Sequence, residues 1–181
     1  MKYQIDQSGK IEQTEKPTVL AYTNKFTHSL LIPAKVKRQL QEAFRKCGMT
    51  KLYIQYIFSA AIFLLVRDLK QKCDITIDKE YPGKENIISD ILRKILVSHN
   101  KPAHRIDFAR IGNRPKVHYA AHDVYIKKVS PDKTLTLNEI VKTLKKTDGR
   151  LRECLSTLVD AQSRPLKKMY HRKPKKSIIK K

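Results

Sequence analysis

The sequence predicts an α/β protein: a mixed five-stranded sheet with flanking helices, followed by a C-terminal helical hairpin. Three observations carry this reading. Segments that alternate or concentrate strand-forming residues recur at 2–6, 18–23, 29–32, 73–80 and 106–111, the signature of half-buried strands. Between and after them, apolar residues recur at three- and four-residue spacing, the period of an amphipathic helix. The first three strand candidates follow one another closely, as an antiparallel meander does, and the later ones alternate with helices.

Residues 2–6 (KYQID) alternate and stop at Gln7-Ser8-Gly9, a turn signal. Residues 18–23 (TVLAYT) follow Pro17, and residues 29–32 (SLLI) come after a short polar loop. Pro33 suits the first turn of a helix, where its missing N–H costs nothing. Val36, Leu40, Ala43, Phe44 and Cys47 then mark an apolar stripe, with Lys35, Lys37, Arg38, Arg45 and Lys46 between them and Gly48 as the stop. Residues 52–69 read as a second, more buried helix. Its uncharged run from Leu52 to Val66 has 15 residues, short of the ~20 needed to span a bilayer.

Residues 73–80 (CDITIDKE) alternate again and end in Tyr81-Pro82-Gly83. Ile87, Ile88, Ile91, Leu92 and Ile95 mark the next helix, and residues 106–111 a strand ended by Gly112. Residues 117–127 are read as a helix, although Val124-Tyr125-Ile126 has strand character. Beyond Pro131, Thr136-Leu137-Asn138-Glu139 matches a capping box. Leu137, Ile140, Val141 and Leu144 form one stripe; after the Asp148-Gly149 turn, Leu151, Cys154, Leu155, Leu158 and Val159 form its partner. The organisation expected is therefore an α/β domain at 1–130, a hairpin at 131–163 and a basic tail at 164–181.

Charge narrows the partner. Lysine and arginine number 39 against 17 acids, for a net charge of +22. A surplus of that size repels itself unless a polyanion is present, and a phosphate backbone is the natural one. The tail carries nine of the basic residues and no acid, Lys167, Lys168, Arg172, Lys173, Lys175 and Lys176 among them; removing it leaves +13. Those six are the expected nucleic-acid-binding residues. An anionic membrane surface is the competing partner, but no span is long enough to enter one, so DNA or RNA and no membrane is the expectation.

Residues 1–10 lack the apolar core of a signal peptide. Cys47, Cys73 and Cys154 are scattered, with no CxxC pair. That spacing argues against a disulfide framework and a structural zinc site and favours small buried thiols in a reducing cytoplasm. With five glycines in the chain, no phosphate-cradling loop is present, which excludes P-loop nucleotide hydrolysis.

In so basic a chain the acids at strand ends are informative. Asp6 ends the first strand after Ile5, and Asp78 follows Ile77 in the same frame, two residues before Glu80. If the two strands are parallel neighbours, all three acids project from one face. Converging carboxylates repel one another, and a hard cation such as Mg²⁺ or Mn²⁺ offsets that cost. The plainer reading is that each acid is solvated or paired with one of the many cations. Asp123 is a later acid, and Asp90 is a reserve ligand that reads better as a surface residue. His118 and His122 lie at i, i+4, a spacing that can bind zinc, but no HExxH glutamate accompanies them.

The order of these elements resembles the ribonuclease H-like fold, over about residues 2–128. The resemblance rests on Tyr3-Gln4-Ile5-Asp6-Gln7-Ser8-Gly9, on Ile75-Thr76-Ile77-Asp78-Lys79-Glu80-Tyr81 and on Ala121-His122-Asp123-Val124. It is closest to RuvC-type resolvases and related nucleases. It implies a nuclease or resolvase dependent on Mg²⁺ or Mn²⁺, with Asp6 bridging the metals, Asp78 or Glu80 in the fourth-strand role and Asp123 in the late role. Two features depart from the pattern: the extra apolar helix at 52–69, and histidines in the late region where two acids are more typical. The alternative function is a non-catalytic nucleic-acid-binding protein, for instance one that associates with ribosomes. The third reading is a membrane-surface adaptor acting through the tail. Oligomeric state is not encoded in any of these signals.

Affinity for nucleic acid should fall steeply with added salt, because each neutralised phosphate releases counterions. Deleting residues 164–181 should flatten the plot of log K against log salt measured by fluorescence anisotropy. An unchanged slope would show that the tail does not touch phosphate.

Overall fold

In the computed structural model, residues 1–112 and 115–162 are described, with side chains through residue 156. The sheet is mixed and has six strands: β1 (Lys2–Ser8), β2 (Thr18–Thr23), β3 (Thr27–Ile32), β4 (Asp74–Asp78), β5 (Arg105–Ala109) and β6 (Lys133–Thr134), in the order β5-β4-β1-β2-β3-β6. β1, β2 and β3 form the antiparallel meander, with Asp6 opposite Ala21 and Leu20 opposite Leu30. β4 lies parallel to β1, with Ile5 opposite Ile77, and β5 lies parallel to β4. The five expected strands are joined by a sixth of two residues, too short to show a period. It is held by Asp132, whose carboxylate accepts from the Ser29 amide at 2.8 Å and the Ser29 hydroxyl at 2.7 Å.

Among the described residues six α-helices flank the sheet: α1 (Ala34–Lys46), α2 (Tyr53–Val66), α3 (Glu85–Ser98), α4 (Lys116–Tyr125), α5 (Leu137–Thr147) and α6 (Gly149–Gln162). A 3₁₀ turn, Thr50–Leu52, leads into α2. α2 is buried along nearly its whole circumference, as a helix apolar all round must be. It packs between the sheet and the outer helices, in one core with Ile5, Leu20, Leu30, Ile75 and Ile77. The hairpin α5–α6 shares that core through Ile140, Leu144, Leu151 and Leu155. Its capping box is complete: the Glu139 amide donates to the Thr136 hydroxyl and the Thr136 amide to Glu139.

The opposite face of the sheet carries α4, whose Ala121 and Val124 meet Val19 and Ala21. The helical reading of this segment therefore prevails over its strand character. Gly9 sets how closely α4 approaches. It has φ +75°, and a Cβ there would lie 2.5 Å from both the Pro17 carbonyl and the Tyr125 ring. No other residue type fits that combination of backbone and space.

Two sequence expectations change. Lys37, placed among the polar-face residues of α1, is wholly buried. Its ammonium donates to the Lys10 carbonyl at 2.8 Å and the Thr18 hydroxyl at 2.7 Å, and burial lowers its pKa to about 8. Cys47 and Cys154, expected as separate thiols, form a disulfide with a Cα–Cα distance of 5.7 Å. They are 107 residues apart, and packing of α6 against the end of α1 brings them together. Cys73 stays free and buried. A disulfide is unusual in a reducing cytosol outside hyperthermophiles, which counts against the cytoplasmic expectation. Among the described residues, no helix is long and apolar enough to cross a membrane. The basic tail, with Lys167, Lys168, Arg172, Lys173, Lys175 and Lys176, lies outside the described residues.

Leu155 is 0% exposed. Leu155→Ala should cost ~2–5 kcal/mol in chemical denaturation; a loss below ~1 kcal/mol would show that α6 does not share the core.

Candidate metal centre

Strand pairing builds the site. Ile5 and Ile77 sit opposite one another in the parallel β1–β4 pair and face the core. The next residue on each strand, Asp6 and Asp78, therefore projects from the other face, the one that α4 covers. Glu80 reaches the same place by a tight turn, its amide donating to the Asp78 carbonyl at 2.9 Å. Carboxylate oxygens of Asp6, Asp78 and Glu80 all lie within 4.8 Å of one another. Among the described residues this is the one cluster of three side chains so placed. It lines an open cleft of about 550 Å³ together with Gln7, Lys79, Arg110 and His118.

Each acid is held. The Asp6 carboxylate accepts from the Gln7 amide at 2.7 Å, and its second oxygen lies 3.0 Å from Nδ1 of His118. Asp78 accepts from the Ile111 amide at 2.8 Å, which ties down the segment carrying Arg110. Gln7 donates to the Tyr81 hydroxyl at 3.0 Å, and the Ile11 amide donates to the same oxygen. Tyr81 also stacks edge-on against Phe58 of the buried helix. These contacts anchor the chain directly after Glu80 to the end of β1.

The electrostatics are those of an acid cluster short of cations. Burial, then the charges of Asp6 and Asp78, push the Glu80 pKa up to about 7, with Lys10 offsetting part of this. Burial raises Asp6 above the usual carboxylate range, while the Gln7 amide and His118 pull the other way and Asp78 adds to the rise. Among the described residues neither Asp78 nor Glu80 forms an ion pair with a lysine or arginine, although the chain has 39 of them. Three oxygen donors in a partly buried cleft, two of them inclined to hold protons, form a group that could hold a metal ion.

The strand-end acids thus meet as the sequence reading required. Asp123 does not join them. It is five residues beyond His118, about 140° further round the helix, and pairs with Lys128 at 3.1 Å. His118 stands where the late acid was expected, with its ring stacked on His122 at 5.9 Å. The i, i+4 spacing had marked this pair, but nothing in the sequence linked His118 to Asp6. Asp90 is exposed on α3 beside Arg93. Gln7, Lys79, Tyr81 and Arg110 went unmarked, for their side chains are ordinary until the fold gathers them. No protein-family model, curated protein or solved structure matches the chain.

The raised Glu80 pKa has a definite sign in stability. The folded state holds this proton more tightly than the unfolded chain, so stability rises as pH falls through about 7 towards the ordinary value of 4.5. Glu80→Gln should therefore raise the metal-free melting temperature at pH about 8 and flatten its rise on acidification. An unchanged pH profile would show that Glu80 is freely solvated.

Proposed function

We propose that this protein is a metal-dependent nuclease or resolvase of ribonuclease H-like type, cleaving phosphodiester bonds in DNA or RNA. The observation that carries the reading is the Asp6–Asp78–Glu80 cluster on neighbouring parallel strands of a chain with net charge +22. Nucleic acid would bring phosphate to the basic surface, and the cleft that holds the Asp6–Asp78–Glu80 cluster is where that phosphate could meet a divalent cation. The strand order, with an antiparallel meander followed by parallel β4 and β5, supports the ribonuclease H-like reading.

Asp6, Asp78 and Glu80 would hold Mg²⁺ or Mn²⁺. Such an ion, when bound, would supply activation of water and stabilisation of the leaving oxygen. Asp6, gripped on both oxygens, presents a fixed carboxylate between β4 and α4. His118 keeps that carboxylate oriented and can accept or donate a proton at the mouth of the cleft. Lys79 and Arg110 line the same cleft and would contribute positive charge to a bound phosphate. Lys167, Lys168, Arg172, Lys173, Lys175 and Lys176 would add backbone contacts that position the substrate without reading its sequence.

One observation favours the second reading, a non-catalytic nucleic-acid-binding protein. Asp123 is turned away, so the cleft has three carboxylates and a histidine where the resemblance implies a further acid.

Labelled DNA and RNA should be nicked in Mg²⁺ or Mn²⁺ and left intact in EDTA. Asp6→Asn should lower the rate by at least ~10²-fold while leaving nucleic-acid affinity in place, because affinity comes from the basic surface. Added metal should raise the melting temperature of the native protein more than that of the variant. Full activity in Asp6→Asn would overturn the catalytic assignment; binding without cleavage under any metal would leave the second reading.

A further inference from the structure

A separate feature lies at the other end of β1, on the face turned away from α4. The β2–β3 hairpin tip presents Phe26, 80% exposed. The tip is closed by a bond from the Asn24 amide to the Phe26 carbonyl at 3.0 Å, which fixes the backbone that carries the ring. Beside it are two more aromatic rings: Tyr22 and Tyr3 meet edge to face with centroids 5.2 Å apart. Phe26, Tyr22, Tyr3 and Lys25 line one hollow, and Tyr3 also lines the next, which is walled by Lys70 and Lys72. The two hollows adjoin at Met1 and Tyr3, so a groove running across both has aromatic sides, Lys25 at one end and Lys70 and Lys72 at the other. Asp132 and Asp68 are the acids whose charge reaches Tyr22, so three lysines stand against two acids. A single exposed ring would need no explanation. Three grouped rings between lysines, on a chain of net charge +22, make the combination that single strands use: cations for the backbone and aromatic faces for the bases.

We propose that this groove is a second nucleic-acid contact, which takes an unpaired strand by stacking a base on Phe26 with Lys25, Lys70 and Lys72 on its phosphates. Duplex bases are already stacked on their neighbours and cannot use the ring. The contact thus selects single-stranded or frayed regions over continuous duplex. It rests on the nucleic-acid reading of the charge and not on catalysis, since the groove and the acid cleft lie on opposite faces of the sheet.

The test uses the full chain in EDTA, where no cleavage occurs, with a fluorescein-labelled oligothymidylate and a duplex of equal length as probes. Phe26→Ala should raise the dissociation constant for the single strand roughly fivefold to a hundredfold and leave the duplex value within about twofold. Phe26→Trp should keep single-strand affinity. The melting temperature should not change, because the ring is exposed. Single-strand affinity unaltered in Phe26→Ala, or equal loss on both probes, would overturn the groove and leave the nuclease reading standing. Unaltered affinity with a change in oligomeric state would assign the groove to protein contact instead. Failure of the native chain to bind either probe would overturn the groove and the nucleic-acid reading together.

Discussion

Three carboxylates at the ends of two parallel strands repel one another, and much of the surrounding structure answers that repulsion. Pairing of β1 with β4 puts Asp6 beside Asp78, and the turn after β4 returns Glu80 to them. Without further support such a cluster would splay or take up protons. The Gln7 and Ile111 amides and His118 each donate or sit within bonding distance of a carboxylate, and Tyr81 clamps the chain behind Glu80. Even so, two of the three acids hold their protons more tightly than free carboxylates. A group of this kind is stabilised by a cation, which replaces protons and mutual repulsion by attraction.

Keeping the cluster in place requires a stiff platform. One face of the sheet is covered by α2 and, beyond it, by the other core helices, so the strands carrying Asp6 and Asp78 are immobilised from behind. Among the described residues, the other face is covered by α4 alone, seated by the close approach of Tyr125 to Gly9. The seat matters chemically, because α4 brings His118 to Asp6. A side chain at position 9 would lift α4 and break that contact.

Outside the cleft, positive charge is handled in two ways. Most lysines and arginines among the described residues are exposed. Lys37 is instead buried and bound to the Lys10 carbonyl and the Thr18 hydroxyl, so that it fastens the loop between β1 and β2. Burying an ammonium is costly unless its donors are met, and here the fold meets them. The disulfide between Cys47 and Cys154 fastens α6 to the end of α1 in the same sense, closing a loop whose freedom in the unfolded chain would otherwise be large.

Short-range physics was legible in the sequence. Alternation and helical spacing are local periods, so five strands, the buried α2 and the capped hairpin could be read directly, whereas the shared face of Asp6, Asp78 and Glu80 followed only if β1 and β4 pair in parallel, as they do. What stayed hidden depends on contacts between distant segments. β6 is two residues long and exists because Ser29 holds Asp132. Cys47 meets Cys154 because α6 folds back onto α1. Asp123 looked like a ligand because it follows a suitable motif, yet the rotation of α4 on the sheet turns His118 towards Asp6 and Asp123 towards Lys128. The sequence by itself determined which side chains have the chemistry to hold a cation; the tertiary structure decided which of them share a cleft, since that choice is made by helix rotation and strand register, whose causes lie in packing far along the chain.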